Sequence, residues 1–176
     1  RWDGIPDLGA LAAAGEGPPH LHVSGYVLFD EGSRAAGLAA LDQARALGWT
    51  TSVDPQAPSL LARVGPATFL SWVEGIDLLL PNAAEAEALG GEAAMLAVAE
   101  HVVVTHGGDG ATWVCRAGTW SARAPQVEVV DPTGAGDAFD AGLLAAWLAG
   151  ATPEDALRGG IRAGSAAVSR VGARPG

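Results

Sequence analysis

Short apolar runs and helical segments alternate along this chain with few residues between them, and this alternation limits the folds that are open to it. Four runs rich in β-forming residues predict strands: residues 21–29, 49–55, 76–82 and 101–110. The segments between them carry helical spacing or helix-end signals: residues 31–48, 58–74 (broken at Gly65-Pro66) and 83–90. Strands and helices in alternation predict an α/β fold, with a mostly parallel sheet that has helices on both faces.

The C-terminal part combines a hairpin with two helices. The segments "ATWVC" and "GTWSA" predict a β-hairpin around Ala117-Gly118. Residues 129–150 end a strand, turn through small residues and continue as an apolar helix. A further helix follows, with Thr152 as its N-cap and Pro153 in its first turn.

Length and composition exclude several classes of protein. The 176 residues suffice for one domain with a core, and we expect a single domain over residues 1–176. No run approaches the ~20 apolar residues of a membrane span, and the net charge of −10 argues against a nucleic-acid surface. A single cysteine, Cys115, indicates a reducing compartment, which we expect to be the cytoplasm. Because the chain starts without Met or a signal-peptide pattern, we expect it to begin inside a longer product.

The chain contains no lysine, and all ten of its basic residues are arginine. This excludes a Walker A motif, Schiff-base chemistry and the ATP-binding lysine of protein kinases. Any phosphate group bound here must therefore be held by backbone amides, arginine or a metal ion.

The stretch "DPTGAGDAF" (131–139) places two aspartates around a turn of small residues at the start of a helix. Backbone N–H groups converge at such a helix start, where the helix dipole favours an anion. A carboxylate at Asp137 would then lie beside the anion, as proton removal during phosphoryl transfer requires. A capped helix after a tight glycine turn accounts for the same residues, and the motif alone gives the two interpretations about equal weight.

Two further stretches follow strand ends. In "PNAAEAEAL", Asn82 and Glu85 suit a helix-capping box, and their oxygens also suit Mg²⁺ held through water. The glycines of "VTHGGDGA" (104–111) allow a close approach of the backbone to a nucleotide, although they do not form a G-x-G-x-x-G fingerprint. Because ligands bind at the carboxyl ends of parallel strands, we expect Asp54, Asn82, Thr105 and Asp131 to share one rim of the sheet.

Three motifs in one order resemble the ribokinase-like (PfkB) family of carbohydrate and nucleoside kinases. They are "NAAE" (82–85), "THGGDGA" (105–111) and "DPTGAGDAFDAG" (131–142), within a resemblance that runs from about "HVSGYV" to the C-terminus. The resemblance implies a doubly wound α/β fold with a small β lid. It also implies transfer of phosphate from ATP to a hydroxyl or hydroxymethyl group of a small sugar or a nucleoside.

The resemblance assigns the catalytic roles to the last motif. Asp137 would be the general base that takes the proton of the acceptor hydroxyl. The amides of Gly134, Ala135 and Gly136 would form the anion hole for the transferred phosphoryl group. Without lysine, transfer would depend on positioning and on electrostatic stabilisation by these amides and Mg²⁺.

The resemblance assigns the cofactor contacts to the other motifs. Asn82 and Glu85 would organise the phosphates and Mg²⁺, with Glu85 acting through water. Thr105, Gly107 and Gly110 would line the ATP site.

The resemblance also implies a monovalent cation site, which some members of the family possess. Asp131 and Thr133 match positions on one side of that site. Ala167, Arg170 and Gly172 match positions near its far side. Activation by K⁺ is therefore a hypothesis for this chain.

The N-terminal part of the family and its lid are not recognisable before "HVSGYV", so we expect this chain to be the C-terminal, ATP-binding portion. The connection between Gly90 and His101 also looks short for a crossover helix. The residues that would choose the acceptor are absent, which leaves a sugar kinase, a nucleoside kinase and a non-catalytic nucleotide-binding regulator as alternatives. A homodimer is compatible with the resemblance.

Overall fold

The structure is a computed structural model that describes residues 8–14 and 19–169. Its six strands form one mixed sheet in which they follow one another in chain order. The chain divides after Val102 into two compact units. Among the residues described, no helix is long and apolar enough to span a membrane.

The first unit contains most of the strand and helix alternation. Its strands are β1 (His20–Ser24), β2 (Thr50–Asp54), β3 (Ile76–Leu79) and β4 (Ala99–Thr105), the last of which continues past the division. Its helices are α1 (Leu8–Ala14), α2 (Gly25–Phe29), α3 (Arg34–Ala46), α4 (Pro58–Val64), α5 (Pro66–Trp72), α6 (Ala83–Ala88) and α7 (Glu92–Leu96). Each of β1 to β3 pairs in parallel with the next strand, which confirms the predicted mostly parallel sheet.

The prediction of one strand over residues 21–29 is wrong, because the strand ends at Ser24 and a short helix follows. The buried residues of α2 are Gly25, Leu28 and Phe29, a helical spacing that a short apolar run does not distinguish from a strand. A Cβ on Gly25 would lie 2.4 Å from the carbonyl oxygen of Pro55. The close approach of a neighbouring loop therefore requires glycine at this point.

Aromatic packing and short helices complete the first unit. The rings of Phe29 and Phe69 stack at 5.4 Å, and the Arg34 guanidinium lies 4.4 Å from the centre of the Trp72 ring. The predicted break at Gly65-Pro66 separates α4 from α5. The connection between Gly90 and His101, which looked short for a crossover, carries one short helix, α7.

The second unit contains a hairpin and two packed helices. The hairpin is formed by β5 (Ala111–Cys115) and β6 (Gly118–Ala122), and the helices are α8 (Ala135–Leu148) and α9 (Pro153–Val168). Cys115 pairs with Gly118, so the predicted hairpin is confirmed and turns at Arg116-Ala117. Thr152 accepts a hydrogen bond from the Asp155 N–H, which confirms the predicted cap of α9.

Helices α8 and α9 approach closely through small residues. A Cβ on Gly160 would lie 2.8 Å from the Phe139 ring, and one on Gly142 would lie 2.7 Å from the carbonyl oxygen of Gly159. This contact holds the first turn of α8 against α9, where Gly164 faces the Ala135 carbonyl.

The segment 123–134 has no strand or helix, so the prediction that Asp131 follows a strand end is wrong. Its β-forming residues are exposed, with Val129 and Val130 at 61% and 51%. Because strand preference depends on a partner strand and a buried face, valines alone do not make a strand here.

Candidate functional site

The turn before α8 is held by its own backbone and by Asp131. Gly134 has φ of 76°, a left-handed conformation that favours glycine. The Ala135 N–H donates to the Pro132 carbonyl at 3.2 Å, and the Thr133 N–H donates to Asp131 Oδ1 at 2.9 Å. The predicted tight turn is therefore present and defined by two hydrogen bonds.

The same turn leaves backbone donors at the helix start. The N–H groups of Gly134, Gly136 and Asp137 have no acceptor among the residues that the structure describes. Ala135, which the resemblance placed in the anion hole, instead uses its N–H within the turn. The unused amides at the positive end of a 14-residue helix form an environment that favours an anion.

The Asp137 carboxylate lies in the first turn of α8 and is exposed. Within the described part of the chain it forms no hydrogen bond or ion pair. An unpaired carboxylate beside unused amides can accept a proton from a group that approaches the same point.

The C-terminal end of α9 is joined to the loop before α8. The Val168 carbonyl accepts hydrogen bonds from the N–H groups of Val130 at 2.8 Å and Asp131 at 3.1 Å. This brings Asp131 and Thr133 to the end of α9 that carries Ala167. The other two residues of the predicted cation site, Arg170 and Gly172, lie outside the described residues.

A cavity of about 430 Å³ lies in the second unit. One wall is formed by Thr105, Gly107 and Gly110, the residues that the resemblance assigned to the ATP site, and the cavity reaches Ala135 and Gly136. Residues 124–127, Val129 and parts of α9 form other walls that sequence reasoning did not foresee. They are separated along the chain by more than thirty residues, and no local pattern marks them as neighbours.

The glycine loop between β4 and β5 is closed by hydrogen bonds of its own. The His106 N–H donates to the Gly110 carbonyl at 2.8 Å. The His106 ring is exposed and its Nε2 shares a hydrogen bond of 3.1 Å with Thr112 Oγ1 on β5. His106 does not line the cavity, so its contacts support a structural role in which the ring ties the loop to the hairpin.

Asn82 and Glu85 form a complete capping box at the start of α6 in the first unit. The Glu85 N–H donates to Asn82 Oδ1 at 3.0 Å. The Asn82 N–H donates to Glu85 Oε2 at 2.9 Å, and Asn82 Nδ2 donates to Glu85 Oε1 at 2.7 Å. Glu85 is only 1% exposed, and this burial raises the pKa of its carboxyl group above the ordinary value of 4.5.

Replacing Glu85 by glutamine is expected to change how stability depends on pH. The raised pKa means that Glu85 favours folding fully below pH 4.5, and this contribution is lost as the pH rises through the folded-state pKa. The variant lacks this titration, so its free energy of unfolding relative to wild type should increase between pH 4.5 and pH 7. Urea unfolding in buffer free of divalent cations measures this, with Glu87→Gln on the same helix as control. A difference that stays constant with pH would contradict the prediction.

Comparison with known proteins places the chain in context. A family model described as pfkB family carbohydrate kinase matches residues 14–176. The chain is 40% identical over 70 residues to 1-phosphofructokinase of Escherichia coli strain K12, across 40% of this chain and 22% of that enzyme.

Solved structures agree with this match. Adenosine kinase from Sinorhizobium meliloti is similar with a TM-score of 0.80 and 26% identity, over 89% of this chain and 50% of that one. Fructokinase from Vibrio cholerae O395, solved with fructose, ADP and calcium ion, is similar with a TM-score of 0.76 and 25% identity, over 90% of this chain and 57% of that one. The chain thus spans about half the length of these solved relatives.

Proposed function

Because the chain belongs to the pfkB family of carbohydrate kinases, we propose that it carries the ATP-binding and proton-accepting part of a kinase acting on a small sugar. The reaction would transfer the γ-phosphoryl group of ATP to a hydroxyl or hydroxymethyl group. The observation that carries the proposal is the Asp137 carboxylate, which has no partner among the described residues and lies beside amides that have no acceptor there, at a cavity that reaches the same helix turn.

The chemistry follows from these groups. The acceptor hydroxyl gives its proton to Asp137 while its oxygen forms a bond to the γ-phosphorus, and the bond from that phosphorus to the oxygen of ADP breaks. The free N–H groups of Gly134 and Gly136, together with that of Asp137, would stabilise the charge on the phosphoryl oxygens. In the proposed anion hole the Asp137 amide takes the place of Ala135, because the Ala135 N–H is already bonded.

The nucleotide would occupy the cavity of the second unit. Its flat base fits a space of about 430 Å³ with mostly apolar walls, and the cavity extends to the helix start that would bind the phosphates. Thr105, Gly107 and Gly110, which line this cavity, would then contact the nucleotide as the family resemblance implied.

Asn82 and Glu85 would bind Mg²⁺ only through water molecules, and not by direct coordination. Both oxygens of the buried Glu85 already accept hydrogen bonds from Asn82, so direct coordination would disrupt the cap. Each oxygen keeps a second lone pair that can accept a water hydrogen. No three possible metal-ligating side chains cluster in the described ranges. We propose an ion held mainly by the phosphates and water. When bound, Mg²⁺ would neutralise charge that develops on the phosphates.

The names of the relatives support a sugar as the acceptor. The E. coli relative is named for a sugar phosphate and the V. cholerae structure contains fructose, which favours a sugar acceptor. The likeness to adenosine kinase keeps a nucleoside as the second candidate. An exposed carboxylate without a partner in the described part of the chain, placed at the helix start, argues against a non-catalytic regulator.

ATP consumption against a panel of acceptors tests the proposal. The purified protein, expressed with any sequence that precedes this chain in its gene, is assayed with Mg²⁺ and sugars, sugar phosphates or nucleosides. Turnover with a sugar or sugar phosphate is expected. Turnover only with nucleosides would establish the second candidate, and nucleotide binding without any turnover would indicate the regulator.

We further propose a K⁺ site between the Asp131–Thr133 turn and the end of α9. The Asp131 carboxylate and the negative end of the α9 dipole lie together here because Val168 accepts the Val130 and Asp131 amides. A cation at this point would fix the turn that precedes the anion hole.

Replacing K⁺ by tetramethylammonium at equal ionic strength is expected to lower kcat, because this cation is too large for the site. An Asp131→Asn variant serves as control, since its activity should depend much less on K⁺. Equal wild-type rates in both salts would remove the K⁺ site from the proposal.

A further inference from the structure

Among the described residues, the walls of the cavity carry no charged side chain and few polar ones. The only polar side chains that line it there are those of Thr105, Gln126 and Ser165. The other lining residues are glycine, alanine, proline, valine, isoleucine and phenylalanine. If the base of the nucleotide lies here, as the proposed function requires, these three residues provide the side-chain hydrogen bonding to it.

None of these three side chains has a fixed hydrogen-bonding direction. A hydroxyl group both donates and accepts, and a carboxamide offers a donor and an acceptor that exchange places when the group turns over. Adenine presents a donor at N6 beside an acceptor at N1, whereas guanine presents an acceptor at O6 beside a donor at N1. Gln126 can match either edge by turning over, and Thr105 and Ser165 can do so by rotating a hydroxyl.

Part of the backbone around the cavity has no hydrogen-bonding group to offer to the base. In the glycine loop, the Gly110 N–H donates to the Gly107 carbonyl and the Gly110 carbonyl accepts from His106. Pro125 and Pro132, both in the wall, have no N–H to offer. The remaining backbone groups of the wall belong to Thr105 and the glycine loop, to helices α8 and α9, and to residues 124–129, which lie in no strand or helix.

We propose that the nucleotide site accepts purine nucleoside triphosphates as a class, with ATP and GTP within about 200-fold of each other in kcat/KM. Pockets that select by shape and apolar contact separate similar ligands by only about 10- to 200-fold, whereas sites built around fixed hydrogen bonds reject the wrong ligand by about 10⁴- to 10⁵-fold. The site would still prefer purine nucleotides to other ligands, because the cavity fits a flat ring and the start of α8 would bind the phosphates. This inference rests on the proposed function.

Calorimetric titration with ADP and with GDP tests the inference without an acceptor. The Kd values are expected to agree within about 200-fold, and kcat/KM for ATP and GTP should agree similarly once an acceptor is known. Binding of ADP more than about 200-fold tighter than GDP would overturn the inference and leave the proposed function intact. Binding of neither nucleotide would overturn both.

The Gln126→Ala variant supplies a second measurement. Gln126 is exposed, so its removal should leave the fold unchanged. The ratio of the ADP and GDP affinities is expected to stay close to that of wild type, because Gln126 bonds equally well to either base. A ratio that changes by more than about 10-fold, which corresponds to about one hydrogen bond, would show that Gln126 selects the base and would overturn the inference.

Discussion

Replacing Asp137 by asparagine is expected to lower turnover by ~10²–10⁴-fold, because the amide cannot take the proton of the acceptor hydroxyl. Nucleotide binding should change little, since the asparagine side chain has the size of the aspartate and the backbone N–H of the helix start is retained. Steady-state assays give kcat, and calorimetric titration with ADP gives the affinity. The expected result is a loss of kcat with a nearly unchanged Kd.

The control for this experiment is Asp42→Asn, an exposed aspartate on α3 that pairs with Arg45. That variant should have wild-type kcat, because a surface ion pair of this kind contributes little. An Asp137→Asn protein with near-normal turnover would refute the assignment of Asp137 as the base. Loss of ADP binding in that variant would instead point to damage in the turn itself.

Replacing Gly110 by alanine is expected to destabilise the protein by about 3 kcal/mol or more and to abolish nucleotide binding. Its Cβ would lie 2.0 Å from the carbonyl oxygen of Ala122 and 2.8 Å from Cα of Arg123, both backbone atoms. Its φ of 108° is also a conformation that residues with a side chain rarely adopt. The strand end and the glycine loop would have to move apart, which deforms one wall of the cavity.

The matched control is Gly108→Ala in the same loop, where an added Cβ meets no atom within 4 Å. Gly108 also lacks the positive φ of Gly110. Urea unfolding compares the free energies of unfolding, and ADP titration compares binding. Equal stability of the two variants would contradict the geometry of this loop.

The elements that were predicted well depend on local signals. The hairpin and the caps of α6 and α9 were recognisable because the residues that form them lie within a few positions of each other. The run 21–29 was not, because its apolar residues suit either a strand or a helix. Helix α2 begins at Gly25, where the backbone of Pro55 approaches closely. Because these two residues are distant in the chain, a local pattern does not reveal this contact.

In the candidate site, too, the sequence predicts local features, whereas the use of each backbone amide is decided by the folded structure. From sequence, the stretch around Gly134 and Asp137 suited a capped turn and an anion site equally. In the structure the Ala135 amide closes the tight turn, while the Gly136 and Asp137 amides have no acceptor among the described residues. A hydrogen-bond count of this kind requires coordinates, because the motif letters do not say which amide is used.

Local sequence is sufficient to specify the alternation of strands and helices, the glycine turn and the carboxylate beside it, because periodicity, capping and turn chemistry act over a few residues. The family motifs add the expected chemistry. The cavity depends on contacts that only the folded chain makes: α9 packs against α8 through glycines, and the Val168 carbonyl holds the loop before α8. Burial of distant segments against each other creates these walls, and no short stretch of sequence encodes such a contact by itself.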